Sequence, residues 1–183
     1  KNMKNRWFFA FEIVVLCVTC LFFSVFYVLD KKVYPVFYRE EIVTYATKYS
    51  VKPQIVISII KAESGFRFDA KSSKGAIGLM QIMPQTAQFV CEKIGEEYLE
   101  EKLLQPKFNI MIGTYYFSYL NLKFKDLKTT LCAYNAGEGN VKKWLKNQNY
   151  SADGKILTAV PFKETETYTK KVLKNLVVYK IKF

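Results

Sequence analysis

The ionisable residue best placed for acid–base chemistry is Glu63. It follows the apolar run IVISII at residues 55–60 and occupies the last turn of the helix that this run predicts. Apolar surroundings withhold solvation from a carboxylate, and the carboxyl end of a helix presents partial negative charge, so both favour the protonated acid. A carboxyl group that keeps its proton near neutral pH can give it to a leaving oxygen. A surface glutamate at a helix end would occupy the same position, so position alone leaves both interpretations open.

The 183 residues contain no histidine. Ser-His-Asp triads, Cys-His pairs and H-E-x-x-H zinc sites are therefore excluded, and hydrolytic or lyase chemistry must use carboxylates, tyrosines or lysines. Cys17 and Cys20 lie in an apolar N-terminal run, while Cys91 and Cys132 lie in apolar helical contexts. For the latter pair we expect buried free thiols, with a disulfide as the alternative. No metal and no cofactor are predicted.

The chain is basic, with 28 Lys and Arg residues against 16 Asp and Glu and a net charge of +12. This excess favours a polyanionic partner such as a cell-wall polymer or anionic lipid, although surface lysines also simply maintain solubility. The sequence has no base-stacking motif and no dense arginine patch, so nucleic acid is not a predicted partner.

A nearly unbroken apolar run extends from Trp7 to Leu29, with Glu12 as its one charged residue. As a helix it would rise about 34 Å, enough to cross the hydrocarbon core of a bilayer. A cleaved signal peptide is the alternative, but no A-x-A-like site follows the run. Basic residues at positions 1, 4 and 6 precede it and those at 31 and 32 follow, which leans towards a cytoplasmic amino terminus.

These observations predict three segments. Residues 1–29 would be a retained single-span membrane anchor, residues 30–38 a tether, and residues 39–183 one folded domain outside the membrane. The protein would therefore be a single-pass membrane protein whose folded domain is extracytoplasmic.

Proline and capping residues divide the folded domain into helices. A first helix is expected from Arg39 to about Ser50, and the last from Lys163 to about Lys180 with Tyr168, Val172 and Leu176 on one face. The other predicted helices start at Pro53 and Pro84, run from Phe108 to about Phe124, and follow Asp126 and Asn140 as N-caps. The fold class is therefore mostly α.

Four motifs occur in order along this domain: ESGF at 63–66, GAIGLMQIMPQTA at 75–87, AYNAG at 133–137 and PFKETETYTKKV at 161–172. Together they resemble the signature set of the soluble lytic transglycosylase catalytic domain, which has a lysozyme-like fold. The resemblance extends from about Arg39 to Tyr179. Four motifs at plausible spacing make a more specific match than any one of them.

The resemblance implies cleavage of the β-1,4 bond between N-acetylmuramic acid and N-acetylglucosamine in peptidoglycan glycan strands. Glu63 would protonate the glycosidic oxygen and then act as base on the muramoyl C6 hydroxyl, closing a 1,6-anhydro ring. Most glycosidases use two carboxylates, but the N-acetyl group and C6 hydroxyl of the substrate can replace the second carboxylate and the water. Glu138 and Asp69 are the nearest candidates for a second carboxylate, and both are expected to be solvated.

Three residues near the second motif are implied as substrate-binding. Ser72 would hydrogen-bond the N-acetyl group, Gln81 would point its amide into the sugar groove, and Met80 would line that groove. Each has a structural alternative: Ser72 as a turn former, Gln81 as a backbone-capping amide and Met80 as a packing residue.

The last two motifs contribute three more substrate-binding candidates. Tyr134 would lie beside Glu63, Asn135 in the groove, and Tyr168 against the carboxyl group of Glu63, where its hydroxyl would tune proton affinity. Asn135 could instead only cap a helix, and Tyr168 could only be a core aromatic.

Two other functions remain open from the sequence. A muramidase of goose-lysozyme type would use water in place of the C6 hydroxyl. A membrane-tethered scaffold would bind glycan without cleaving it and could serve an envelope or secretion complex, although binding alone would not require the acid Glu63.

Overall fold

The structure is a computed structural model that describes the backbone of residues 2–183 and the side chains of residues 7, 11–24 and 33–183. The chain divides into two compact units, residues 1–36 and residues 37–183. The boundary lies within the segment predicted as a tether.

The first unit contains helix α1, Asn2–Val33. Its described apolar side chains, from Trp7 to Phe23, are exposed. Within the described residues, no helix combines the length and the mean hydropathy required to cross a bilayer. The predicted span from Trp7 to Leu29 includes residues 8–10 and 25–29, which lie outside the described side chains, so the anchor stays a prediction.

The second unit is built from seven α-helices and one 3-10 helix. The prediction of a mostly α-helical domain is confirmed. The α-helices are α2 (Arg39–Lys48), α3 (Pro53–Glu63), α4 (Pro84–Ile94), α5 (Pro106–Phe124), α6 (Leu127–Ala136), α7 (Glu138–Leu145) and α8 (Lys163–Lys182), with the 3-10 helix (Glu100–Leu104) before α5.

Proline residues open three of these helices. Pro53, Pro84 and Pro106 each occupy the first turn of α3, α4 and α5, where the missing N–H has no helical partner to lose. Helix α5 begins two residues earlier than predicted because Pro106 itself joins the helix. The predicted cap Asp126 is confirmed, since its carboxylate accepts from the backbone N–H and hydroxyl of Thr129 at 2.8 and 2.6 Å.

The predicted cap Asn140 is wrong. Helix α7 begins at Glu138, and Gly137, with φ 86°, takes the N-cap position. The Asn140 amide instead donates to the carbonyl of Ala136 at 2.8 Å. Glycine at the junction lets α6 and α7 follow one another without a connecting loop, which capping residues alone do not reveal.

Helix α3 forms the centre of the core. Val56, Ile57, Ile59 and Ile60 are completely buried, so a full turn of α3 is enclosed on every side. The helix packs along α8, while α5 packs against α2, α4 and α6. On α8 the predicted face is confirmed: Tyr168, Val172 and Leu176 are all buried. The acid at the end of α3 therefore extends from a fixed backbone.

Both cysteines of the second unit are free thiols. Cys91 and Cys132 are buried and unpaired, as predicted. The Cys132 sulfur lies 3.5 Å from the hydroxyl of Thr169, which links α6 to α8.

The loop between α3 and α4 is held by one buried amide, Asn109 of α5. Its Nδ2 donates to the carbonyls of Ile77 and Leu103 at 2.9 and 2.8 Å, and its Oδ1 accepts from Met80 N at 2.8 Å. The loop can approach this closely because residue 78 is glycine with φ 80°, where a Cβ would lie 2.5 Å from Leu103 O. These bonds fix residues 77–80 against the core.

Candidate active site

Glu63 is the last residue of α3, and its side chain is half-buried. Burial raises the pKa of Glu63 to about 7, and the negative charge of Glu164 acts in the same direction, whereas interactions with Tyr168 and Lys171 lower it. The expectation of a carboxyl group that retains its proton near neutrality agrees with this environment. Glu63 can therefore exist as acid and as base within a narrow range of pH around 7.

Two tyrosines flank this carboxyl group. Tyr134, near the end of α6, donates its hydroxyl to the carbonyl of Met80 at 3.0 Å. Burial raises the pKa of Tyr134 well above its usual value, and the nearby Glu63 and Tyr116 raise it further. Tyr134 therefore remains a neutral hydrogen-bonding group beside Glu63. Its bond to Met80 also anchors the loop between α3 and α4.

The second tyrosine, Tyr168 of α8, is buried with a hydroxyl that has no partner of ordinary hydrogen-bond geometry in the described part of the chain. Burial raises the pKa of Tyr168 well above its usual value, with further contributions from Glu63 and Tyr134. The hydroxyl is close enough to Glu63 to affect its pKa, although their contact falls outside ordinary hydrogen-bond geometry. A buried unpaired hydroxyl costs free energy and is available to a carboxylate or a ligand.

Ser72 has a structural role in the loop. Its hydroxyl accepts from the backbone N–H of Ala76 at 2.9 Å, and its carbonyl accepts from Gly75 N at 3.0 Å. This is the turn-forming role that was the alternative to substrate binding. A hydroxyl that accepts one hydrogen bond still has its own proton to donate, so the two roles are compatible.

Gln81 also stabilises the loop. Its Nε2 donates to the carbonyls of Ala70 and Gly78, both at 3.0 Å, which uses both amide protons. Its backbone has φ 48°, an uncommon conformation for a residue with a side chain. Any contact of Gln81 with a ligand is therefore left to the amide oxygen.

Met80 does not agree with its assignment to substrate binding. Its side chain is completely buried and packs against Gly113 of α5, where a Cβ would lie 2.5 Å from the Met80 sulfur. The physical reason is that glycine at position 113 leaves room for the thioether in the core, while the hydrogen bond from Met80 N to Asn109 fixes the backbone. Met80 contributes to the site through its carbonyl, which holds Tyr134.

Asn135 lies where α6 ends. Its Oδ1 accepts from the hydroxyl of Thr165 at 2.8 Å, which ties the end of α6 to the first turn of α8. Since this bond uses the oxygen, the NH₂ group of the amide is the part left for a ligand.

A cavity of about 240 Å³ connects several of these residues. Of the predicted site residues, Gln81, Tyr134 and Asn135 line it, whereas Ser72 and Tyr168 do not. Glu63 does not line it, but its charge acts on Tyr134, which does. A second cavity of about 260 Å³ shares Thr86 and Tyr116 with the first and continues along an aromatic wall. The remaining lining residues are Ile82, Met83, Ala136 and Gly137 in the first cavity, and Gln85, Phe89, Tyr119 and Glu138 in the second.

Both candidates for a second carboxylate were predicted to be solvated. Asp69 is exposed, in agreement with the prediction, whereas Glu138 is half-buried. Glu138 forms ion pairs with Lys123, at 2.6 Å, and with Lys142. Although burial acts to raise it, these lysines lower the pKa of Glu138 to about 2. Glu138 therefore remains ionised and paired, and it faces the second cavity rather than Glu63.

Asn109 is the site-forming residue that the sequence analysis missed. Its three hydrogen bonds position the loop that carries Gln81. They also position the Met80 carbonyl, which accepts the hydroxyl proton of Tyr134. The available signal was a lone amide in an otherwise apolar and aromatic helical stretch from Phe108 to Phe117.

Comparison with known proteins gives a consistent result. Residues 40–157 match the model of the transglycosylase SLT domain. The soluble lytic murein transglycosylase of Salmonella typhimurium is 35% identical over 144 residues, which are 76% of this chain and 22% of that protein. The membrane-bound lytic murein transglycosylase C of Actinobacillus pleuropneumoniae is 30% identical over 152 residues, covering 70% of this chain and 42% of the relative.

Among solved structures, an inactive Glu-to-Gln mutant of lytic transglycosylase Slt from Pseudomonas aeruginosa is similar to this chain, with a TM-score of 0.75 and 35% identity. The match covers 84% of this chain and 25% of that structure. The chain thus spans about a quarter of the length of the Salmonella and Pseudomonas proteins.

Proposed function

Because the chain belongs to the transglycosylase SLT family, we propose that it is a peptidoglycan lytic transglycosylase. It would cleave the β-1,4 bond between N-acetylmuramic acid and N-acetylglucosamine without water and leave 1,6-anhydromuramic acid ends. The observation that carries the proposal is Glu63: a half-buried carboxyl group with a pKa of about 7, beside the buried Tyr168 and the half-buried Tyr134, of which Tyr134 lines a cavity.

In the proposed reaction Glu63 acts twice. The protonated carboxyl group gives its proton to the glycosidic oxygen as the bond from this oxygen to C1 of the muramoyl residue breaks. The resulting carboxylate then takes the proton of the C6 hydroxyl, whose oxygen bonds to C1 and closes the anhydro ring. The acid ends in its starting form. A group with a pKa near the working pH is suited to both steps.

The pairing of the other carboxylates near the site with lysines supports a reaction assisted by the substrate, although the charge of Glu164 also acts on Glu63. Among the described residues, Glu138 is committed to Lys123 and Lys142, and Glu164 is paired with Lys74 at 3.0 Å. Two-carboxylate glycosidases place the partner group about 5 to 10 Å from the acid, on the opposite side of the bond. The N-acetyl group and the C6 hydroxyl of the substrate would replace that group here.

The remaining site residues would bind and orient the glycan. Asn135 would donate from its amide, Gln81 would accept at its amide oxygen, and Ser72 would donate its free hydroxyl proton to the N-acetyl group. Tyr168 would hydrogen-bond the Glu63 carboxylate formed after proton transfer. Met80 has no proposed contact with the substrate.

We also propose that residues 1–29 anchor the protein in the cell membrane, residues 30–38 form a tether, and residues 39–183 act outside the membrane. The apolar run from Trp7 to Leu29 and the exposure of its described side chains support an apolar environment for α1. A relative named as membrane-bound is consistent with this location. A tethered enzyme of this size could open the wall locally for an envelope or secretion complex.

Mass spectrometry of the products tests the proposed reaction. The full chain in detergent is incubated with purified peptidoglycan beside a Glu63→Gln variant. Released muropeptides ending in 1,6-anhydromuramic acid, absent with the variant, are the expected result. Reducing muramic acid ends would instead identify a muramidase. Binding to the glycan without release by either protein would identify a scaffold.

A further inference from the structure

Helix α8 is joined to helix α3 by two side chains that donate to backbone carbonyls. Lys171 Nζ lies 2.6 Å from Ala62 O, and one turn further along α8, Asn175 Nδ2 lies 3.2 Å from Ser58 O. The two donors are four residues apart on α8, and the two acceptors are four residues apart on α3 in the opposite direction. The two antiparallel helices are therefore bonded at matching turns. The bond from Lys171 is the one next to Glu63.

The carbonyl of Ala62 requires a partner from outside its helix. It is among the last four carbonyls of α3, which have no intrahelical N–H to accept from, and Ala62 is buried. An ammonium group at the carboxyl end of a helix both donates to such a carbonyl and opposes the partial negative charge there. Lys171 thus caps α3 from a neighbouring helix, one residue before the acid.

Lys171 also differs in charge from the other groups that act on Glu63. Tyr168, Glu164 and Lys171 of α8 influence the pKa of Glu63, and Glu63 in turn raises that of Tyr134 of α6. Of these, only Lys171 is a cation. Burial lowers the pKa of Lys61 in α3, and the charge of Lys171 lowers it further.

We propose that Lys171 is a positioning residue for the acid: it fixes the last turn of α3 against α8 and keeps one positive charge beside the Glu63 carboxyl group. The inference rests on the proposed function of Glu63. The charge favours the carboxylate that remains when the proton has left, so it assists proton delivery to the leaving oxygen. It also prevents Glu63 from becoming too weak an acid in its buried position.

The test is the pH dependence of kcat/KM on soluble, uncross-linked glycan strands, measured with the full chain in detergent. Activity should fall at alkaline pH as Glu63 loses its proton. In Lys171→Met this alkaline limb should move to higher pH by about one unit, the lower end of the effect of an opposite charge near a carboxylate, because the ammonium group binds the Ala62 carbonyl and not the carboxylate itself. The kcat of this variant should fall, and Lys171→Arg should restore both quantities.

Two control variants separate the role of Lys171 from general effects. Lys174→Met removes an exposed cation one turn away on the same helix. Asn175→Ala removes the hydrogen bond to the Ser58 carbonyl of α3 without changing the charge. Both should keep the alkaline limb of the wild type. If Lys174→Met moves the limb equally, or if Lys171→Met does not move it, the inference is wrong. Lys171→Gln replaces Lys171→Met if the latter unfolds.

A direct titration distinguishes this inference from the proposed function. Carbon-13 NMR of glutamate-labelled protein, with Glu63→Gln identifying the signal, reports the pKa of Glu63 without any substrate. An upward shift in Lys171→Met but not in Lys174→Met supports the positioning role even if the wild type proves inactive on glycan. An unchanged titration in Lys171→Met overturns that role even if the wild type is active.

Discussion

Glu63 and Glu138 are half-buried glutamates of the same domain whose pKa values move in opposite directions. Glu63 is the last residue of α3, and its pKa is raised to about 7. Glu138 is the first residue of α7, and its pKa is lowered to about 2. The carboxyl end of a helix disfavours a negative charge and the amino end favours it, so backbone position contributes to both shifts.

The neighbours of each carboxyl group increase the difference. Glu138 receives Lys123 and Lys142 as direct ion-pair partners. Glu63 has no ion-pair partner of this kind: the ammonium group of Lys171 binds the adjacent Ala62 carbonyl, and the charge of Glu164 acts to raise the pKa of Glu63. Burial acts to raise the pKa at both carboxyl groups: at Glu63 it prevails, whereas at Glu138 the two lysines outweigh it and keep the group ionised.

The largest expected effect that tests this comparison is on turnover. Glu63→Gln removes the proton donor and should lower kcat by about 10²- to 10⁴-fold, the usual contribution of general acid–base catalysis. Glu138→Gln removes only a structural ion pair and should change kcat by no more than a few-fold. Release of soluble fragments from peptidoglycan measures both.

Thermal unfolding serves as the control for this pair. Both variants must remain folded at the assay temperature for their rates to be compared. A large loss of turnover in folded Glu138→Gln would show that the second carboxylate participates in the reaction, and the comparison between the two glutamates would then have to be abandoned.

The next effect is on stability, and its sign differs between the two residues. The pKa of Glu63 is higher in the folded state than its ordinary value of 4.5, so the folded protein binds more protons between about pH 4.5 and pH 7. Its ionisation therefore reduces the free energy of unfolding as pH rises through this range, by about 3 kcal/mol in total. Denaturant unfolding should show this loss in the wild type and not in Glu63→Gln.

For Glu138 the same measurement should show the opposite dependence. Its pKa is lowered from 4.5 to about 2, so its ion pairs stabilise the fold above about pH 4.5 and are lost as pH falls towards 2. Solvent screens the partly exposed lysines, which reduces the expected contribution to about 1 kcal/mol. Glu138→Gln should be destabilised by this amount at pH 7 and not at pH 2, and equal destabilisation at both would refute the assignment.

The sequence was sufficient to place Glu63 in the last turn of a buried helix and to mark most of the helix starts. An apolar run that ends in one glutamate predicts a buried helix with an acid in its last turn, and proline and aspartate mark helix starts by local chemistry. The buried face of α8 followed from the spacing of Tyr168, Val172 and Leu176. These features depend on neighbours within one or two helical turns, which a single sequence records directly.

The sequence was insufficient where a residue depends on distant partners. Glu138 was expected to be solvated, but Lys123 reaches it from another helix. Met80 was given as a groove residue with packing as the alternative, and its side chain is buried against Gly113, which lies 33 positions away on α5. Nothing in the local sequence of either residue specifies these partners, because they meet only after the helices have packed.

The smallest effect concerns the tyrosine beside each carboxyl group. The interaction with Tyr168 lowers the pKa of Glu63, so Tyr168→Phe should move the alkaline limb of the pH profile upwards. Since the Tyr168 hydroxyl is buried and unpaired, its removal should cost little stability. The Tyr119 hydroxyl donates to Glu138 at 3.1 Å, so Tyr119→Phe should affect the ion-pair cluster but leave the limb unchanged. Equal shifts in the two variants would show that the limb does not report Glu63.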